Sequence, residues 1–308
     1  MSVPTWVVGS GGLLGSSVVQ EFRRRGVNVT TSHVSWTDAN AATARLTADA
    51  RTFFDSAGGG SWRLAWCAGA GVTGTDQSAL VAENKVFRAV LRALQIAGAS
   101  AGRGTVVHSS SAGAVYAGVE GAPFTELSAV APLAPYGWAK LEAERTAAAF
   151  STDTGAAVVS ARFANLYGPG QNLAKPQGII SHLCRGFLLG QPISIYVSLD
   201  TMRDYLYVSD AAAMVADTLD SAGGGPSHTI KIYGSGRSVT IGAILAECRS
   251  VFRRRPQVVL ATSPQAAAQA RDLRLRSIVW PDLDHRTHTP LGTGVAATLE
   301  ATRRVLLR

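Results

Sequence analysis

The sequence predicts an α/β fold: a doubly wound parallel sheet with helices on both faces and a smaller C-terminal lobe. Three observations predict it. Short apolar runs alternate with amphipathic stretches up to Leu166, the pattern of successive strand–helix units. A glycine cluster separates the first apolar run from the first amphipathic stretch. With 308 residues, 46% of them hydrophobic, the chain can bury one large α/β unit or a nucleotide-binding domain plus a lobe.

Thr5–Val8 reads as the first strand and Leu13–Arg25 as the first helix. Between them lies Gly9-Ser-Gly-Gly12-Leu-Leu-Gly15. Glycine at these places lets the chain turn tightly and lets backbone N–H groups approach a pyrophosphate at the helix N-terminus. Strand, glycine turn and helix in this order are the context that a dinucleotide-binding, Rossmann-type unit requires. Gly9, Gly11, Gly12, Leu13, Leu14 and Gly15 are therefore candidate cofactor residues.

Val27–Thr31 is the second strand. An acid is expected at its end to bind the adenosine ribose, but the chain has Thr30-Thr31-Ser32-His33. A carboxylate there would repel a 2′-phosphate, so its absence leaves NAD or NADP open and leans the reading to NADP. Ser32 and His33 are the donors that would meet such a phosphate. The arginine that usually accompanies NADP is missing. Asp38 reads as the N-cap of the helix starting near Ala39; contact with the adenine is the other reading.

The alternation continues with Ala41–Phe54 (helix), Arg63–Cys67 (strand), Ala79–Ile96 (helix), Thr105–Ser109 (strand), Tyr136–Phe150 (helix) and Ala157–Phe163 (strand). It then weakens. Residues 1–166 with 204–220 form the expected dinucleotide-binding domain, and 167–203 with 221–308 the expected substrate-binding lobe. The cofactor set further takes in Cys67, Ala68, Gly69, Ser109, Ser110 and Phe163.

Ser109-Ser110-Ser111 closes one strand, and Tyr136-Gly-Trp-Ala-Lys140 opens a helix 25 residues after Ser111. Tyrosine and lysine four apart share a helix face. A phenol is a poor base at neutral pH. A neighbouring ammonium and the positive charge of a nicotinamide stabilise the phenolate. Tyr136 then accepts a hydroxyl proton while hydride leaves for the cofactor, and a serine orients the substrate oxygen.

Through these segments and those that follow, the chain resembles the extended short-chain dehydrogenase family of nucleotide-sugar epimerases, dehydratases and reductases. The matching segments run in family order: Gly9–Gly15, Ser109 to Tyr116, Pro123-Phe-Thr-Glu126, Pro135-Tyr136 to Lys140, Arg162 to Gln171, Arg203-Asp204 to Asp210, and Thr289 to Val295. The resemblance implies that Tyr136 is the acid/base, Lys140 its partner and ribose ligand, and Ser111 the third member. Counting back from Tyr136 favours Ser111. Counting back from Val115-Tyr116 lands on Ala112 and leaves Ser110 as the alternative. Asn165 and Arg203 match positions that contact the nucleotide diphosphate in relatives; the competing reading pairs Arg203 with Asp204 or Asp210. Lys175 is a further candidate for a phosphate. Asn84 matches an asparagine that is often structural.

For the reaction, epimerisation with a retained cofactor is placed ahead of NADPH-dependent reduction of a keto-sugar. The missing acid and a short link to Trp36-Thr-Asp38 favour reduction. A standard dehydratase is discounted, because Ser-Ala-Gly stands where relatives carry Thr-Asp-Glu. A non-catalytic dinucleotide sensor is the reading of another class; such proteins often lose the tyrosine or lysine, and both are present here.

Composition narrows the classes. Net charge is +8, and 25 of the 29 basic residues are arginine. The tight runs Arg23–Arg25 and Arg253–Arg255 each follow a helix-like segment and read as solvated helix ends, so no nucleic-acid partner is expected. Val3–Val19 is apolar but lacks a preceding basic region, and no apolar stretch is long enough to span a bilayer. Cys67, Cys184 and Cys248 fit neither a disulfide framework nor a metal cage. The expectation is a cytoplasmic, metal-free enzyme that pairs as a homodimer.

Overall fold

The computed structural model describes residues 3–69, 71–98, 103–175, 177–222, 227–261 and 270–307. In chain order the first half comprises β1 (Thr5–Val8), α1 (Leu13–Arg24), β2 (Val29–Ser32), α2 (Ala39–Ser56), β3 (Trp62–Trp66), α3 (Gln77–Ile96), β4 (Gly104–Ser111), a single helical turn α4 (Ala112–Val115), α5 (Pro135–Thr154) and β5 (Ala157–Phe163). The second half comprises β6 (Asn165–Tyr167), α6 (Ile179–Leu189), β7 (Ile193–Ile195), β8 (Met202–Tyr207), α7 (Val208–Ser221), β9 (Ser227–Tyr233), β10 (Ser238–Thr240), α8 (Ile241–Phe252), β11 (Val258–Leu260), β12 (Asp272–Leu273) and α9 (Leu291–Leu306).

The main sheet is six-stranded in the order β2-β1-β3-β4-β5-β9, and every neighbouring pair is parallel. A parallel sheet covered on both faces needs strands apolar throughout; β1 and β5 are buried along their whole lengths. One face carries α1 and α7, where Leu14, Val18 and Phe22 meet Met214, Val215 and Leu219. The other carries α2, α3 and α5, where Phe53, Phe87, Leu94, Ala147 and Phe150 share a core with Trp6, Trp62 and Trp66. Strand order reverses between β1 and β3, and such a switch point opens a crevice at the C-terminal ends of the strands.

A third core joins α6, α8 and α9 through Ile180, Leu183, Cys184, Ile244, Cys248 and Val295. It lies beside a small sheet in which β8 pairs with β10, β12 and β6.

Two assignments change. Ser227–Tyr233, placed with the lobe by the sequence, is the sixth strand of the main sheet. Its apolar run is interrupted by Lys231, which is fully buried but donates to Ser277 Oγ, Val279 O and both oxygens of Asp284. A buried ammonium survives only with such partners. Asp204, where the chain was expected to rejoin the sheet domain, instead lies inside β8 of the small sheet. The return comes with α7, which packs on α1. No described helix is long and apolar enough to cross a membrane.

Candidate active site

The glycine turn is built for close approach. Gly9 has φ +89°, and a Cβ on it would fall 2.6 Å from the Ala68 nitrogen. A Cβ on Gly15 would collide with the Gly9 carbonyl oxygen. Gly12 N–H donates to Gly9 O at 3.0 Å and Gly12 caps α1. At Gly11 a Cβ would meet nothing within 4 Å. The Ser10 hydroxyl is buried with no partner among the described residues. Leu14 is buried on the α1 face of the sheet, and Leu13 starts that helix.

The turn abuts the end of β3. There the half-buried Cys67 thiol is pushed up to about 12 by burial, against a hydrogen bond with Ser109 that lowers it. Ala68 is buried and Gly69 exposed. At the end of β2, Ser32 is 5% exposed and its oxygen accepts the Trp6 indole N–H at 3.0 Å. His33 is exposed. The expected lean to NADP is weakened by this burial: of its two donors, Ser32 is already held in the core. Asp38 caps α2 by accepting from Asn40 N and Ala41 N at 3.0 and 2.9 Å, the cap reading of that residue.

The end of β4 separates its three serines. Ser110 is buried and donates to Glu144 Oε1 at 2.6 Å. Glu144 also accepts a two-point Arg162 fork, from Nε to Oε1 at 2.9 Å and from Nη2 to Oε2 at 2.7 Å. Arg162 Nη1 donates to the Tyr116 hydroxyl, which donates to Thr125 O. The Ser110 proton is thus committed to a buried network. Ser111 is half-buried and accepts the Ala114 N–H at 3.3 Å, capping α4.

Pro135 stands in the first turn of α5, where a missing N–H costs nothing. The following turns bring Tyr136, half-buried, and Lys140, 8% exposed, to one face. Lys140 Nζ lies 5.5 Å from the Tyr136 ring centre and donates to Ser109 O at 3.4 Å. Burial alone would lower the ammonium's pKa; Tyr136, Glu83 and Glu144 outweigh it and the net shift is upward. Asn84 Nδ2 donates to Ala139 O at 2.9 Å and so steadies the turn between Tyr136 and Lys140.

Glu83 was not among the expected residues. Its Oε1 lies 3.9 Å from Lys140 Nζ, and its Oε2 accepts the Gly71 N–H at 3.1 Å. Its helix position signals nothing by itself, because its partners come from elsewhere in the chain.

Of the residues expected at the diphosphate, Asn165 bonds the Tyr205 hydroxyl through its amide and faces Gly113 of α4. Arg203 is 7% exposed and donates to Met202 O and Arg271 O at 2.8 and 3.5 Å. Burial lowers its pKa, against smaller upward effects of Tyr205 and Asp272. Neither acid of the competing reading pairs with it: Asp204 accepts from Ser235 and Gly236, and Asp210 from Thr289. Phe163 is buried against Tyr233, with ring centres 4.9 Å apart. Lys175 is half-buried, and its carbonyl accepts from His182 Nε2 at 2.9 Å. Contacts thus bring the glycine turn, Cys67–Gly69, Ser109, Tyr136 and Lys140 together, and set Asn165 and Arg203 on neighbouring strands. Among the described residues no cluster of three His, Cys, Asp or Glu could hold a metal ion.

A family model described as the NAD dependent epimerase/dehydratase family matches residues 5–232. Among curated proteins, the dTDP-4-dehydro-6-deoxyglucose reductase of Escherichia coli is 31% identical over 140 residues, 46% of this chain and 43% of that protein. A dTDP-glucose 4,6-dehydratase of Xanthomonas campestris pv. campestris is 28% identical over 134 residues, 44% of this chain and 37% of that protein. The matches thus span less than half the length of either relative. Among solved structures, MoeE5 in complex with UDP-glucose and NAD is 26% identical, with a TM-score of 0.79 over 98% of this chain and 99% of that chain. A UDP-glucose 4-epimerase of Thermotoga maritima with UDP-glucose has a TM-score of 0.82 at 20% identity, over 99% and 100% of the two chains.

Proposed function

The chain belongs to the NAD dependent epimerase/dehydratase family, an enzyme of the extended short-chain dehydrogenase type, and from that premise we propose that it is a nucleotide-sugar epimerase. The convergence of Tyr136 and Lys140 with the serine end of β4, beside the glycine turn, carries the reading.

The residues fit a nicotinamide dinucleotide. The Gly9–Gly15 turn leaves no room for side chains at two positions and presents a buried, partnerless Ser10 hydroxyl. Gly9 to Gly15 would hold the pyrophosphate, His33 would lie at the adenosine ribose and Lys140 at the nicotinamide ribose. When bound, the cofactor supplies the hydride acceptor. We read it as NAD, since Ser32 is engaged by Trp6 and MoeE5 was solved with NAD.

Tyr136 takes the proton of the sugar hydroxyl, and the Lys140 ammonium stabilises the phenolate form that does so. We assign the third role to Ser111, whose proton is not committed as that of Ser110 is. Asn165 and the buried Arg203 are read as the diphosphate ligands; a guanidinium whose partners among the described residues are carbonyl oxygens retains donors for an anion. Epimerisation would require Tyr136 to return the proton to the sugar oxygen once the keto-sugar presents its opposite face to the bound cofactor, which would supply the hydride. Ala112 and Gly113 after Ser111 provide no acid for water elimination. The occupant of a second surface is read as another copy of this chain. Val81 of α3 with Leu133 and Trp138 at the start of α5 leave an apolar groove exposed.

A second reading, reduction of a keto-sugar by NADPH, draws on the likeness to the E. coli reductase and on the missing acid after β2. One experiment separates the two. Mass spectrometry identifies any cofactor and nucleotide that co-purify, and the protein is then mixed with a keto-sugar nucleotide and NADPH. Interconversion of sugar nucleotides without net NADPH loss is expected. Stoichiometric NADPH consumption would overturn the epimerase.

A further inference from the structure

We infer that Glu83 is a positioning residue for proton transfer: its carboxylate ties the Lys140 ammonium to the loop after β3 and sets the pH range in which Tyr136 accepts a proton. The inference rests on the assignment of Tyr136 and Lys140 above.

The geometry is two-sided. One carboxylate oxygen lies 3.9 Å from Lys140 Nζ, with side chains 13% and 11% exposed. The other accepts the Gly71 N–H at 3.1 Å. Side chains at Gly69 and Gly71 would crowd these groups. A Cβ on Gly69 would sit 3.1 Å from Glu83 Oε1 and 3.4 Å from Lys140 Nζ, and one on Gly71 only 2.5 Å from Leu80 and 3.5 Å from the Tyr136 ring. Glu83, Lys140, Tyr136 and the loop therefore form one contiguous unit.

Other charges around this unit are accounted for. Glu144 on α5 is bound by the Arg162 fork from β5. His108 on β4 is stacked on Phe87, and burial first, then Lys140 and His228, hold its pKa well below the usual range, so it is neutral. The Cys67 thiol is neutral by burial. From β9, Lys231 is bound by Asp284 and His228 lies 3.0 Å from Ser160 Oγ. Glu83 ranks above Glu144 among the carboxylates that raise the Lys140 pKa.

A carboxylate at this place opposes the ammonium's effect on the Tyr136 oxygen. A like charge disfavours a phenolate where the ammonium favours it. Proton acceptance then begins at higher pH than Lys140 alone would allow, and Lys140 is held charged throughout. A merely structural Glu83 would anchor the loop and leave the pH range alone.

Three proteins test this: wild type, Glu83→Gln, which keeps an oxygen for Gly71 but removes the charge, and Glu83→Ala, which removes both. The phenolate ultraviolet absorbance of each is titrated against its Tyr136→Phe counterpart, without substrate. For Glu83→Gln the Tyr136 titration and the acid limb of kcat are expected to move to lower pH by about one unit, with KM little changed. Glu83→Ala is expected to weaken NAD binding, measured by calorimetry, about tenfold beyond Glu83→Gln, as one lost backbone anchor implies. An unmoved titration and limb in Glu83→Gln would overturn the inference; equal NAD affinity in the two variants would overturn the loop anchor. The titration needs no turnover. A wild-type protein inactive on sugar nucleotides would sink the proposed activity and still leave Glu83 decided.

Discussion

Ser110 and Ser111 are neighbours with different bonding. Removing the Ser110 hydroxyl leaves the buried Glu144 short of one donor, so Ser110→Ala should destabilise the fold by about 1–3 kcal/mol, read in urea unfolding. Ser111→Ala should leave stability near wild type, since its hydroxyl only caps the four-residue α4, and lower kcat by about 100-fold. Tyr136→Phe should lower kcat by at least about 100-fold while calorimetric NAD affinity stays within a few-fold. The reverse ranking of the two serines would assign the role to Ser110. The proximity of Tyr136 and Lys140 was legible from their spacing, but the different bonding of the two serines was not. Which hydroxyl turns to a buried carboxylate and which to a helix cap depends on partners distant in sequence. Glu83 was illegible for another reason: its partners lie in a loop and in a helix, and no spacing in the sequence links them.

At the scale of elements, α1 is held at both ends. Its N-terminus needs Gly15, and Gly15→Ala should weaken NAD binding and lower the unfolding midpoint together, because the added methyl collides with the Gly9 carbonyl. Its C-terminus joins α7: Glu21 bonds Arg24 and Arg25, and Arg25 reaches Asp217 and Asp220. The Arg24 hydrogen bond first, opposed by burial and reinforced by Arg25, lowers Glu21 from 4.5 to about 2. A depressed carboxylate stabilises the fold above its unfolded value and loses that contribution as pH falls. Wild type should therefore lose its stability advantage over Glu21→Gln between pH 4.5 and about 2, as followed by urea midpoints. Asp38→Ala should remove about 1 kcal/mol with the α2 cap and leave NAD affinity unchanged. The alternating elements before Leu166 were readable because each pairs a short apolar run with an amphipathic stretch. β9 was misplaced because its Lys231 breaks that pattern, and the carboxylate that neutralises it lies at Asp284. The short strands of the small sheet, two to six residues long, carry too little periodicity to be read.

At the scale of the whole molecule, the two faces of α3 and α5 differ. Inward, Phe87, Leu94 and Phe150 fill the core; outward, Trp138 is 54% exposed beside Leu133 and Val81. If a second copy covers that groove, Trp138→Arg should shift the protein to monomer in sedimentation while the thermal midpoint stays close to wild type. Overall architecture was the most legible feature, since glycine turn, alternation and motif order all bear on one sheet; the division into domains was less so, because the chain crosses between them more than once. That crossing bears on how the protein is made. β5 is buried along its length and pairs with β4 on one side and β9 on the other. A nascent chain that has emerged only as far as α6 carries β5 with an open edge, able to pair with any passing strand. Lys231 meets its counter-charge only once Asp284 has also left the ribosome. The six-stranded sheet, although begun first in sequence, is thus among the last parts completed, and a fragment ending at Leu166 should aggregate where a chain extended past Asp284 stays monodisperse.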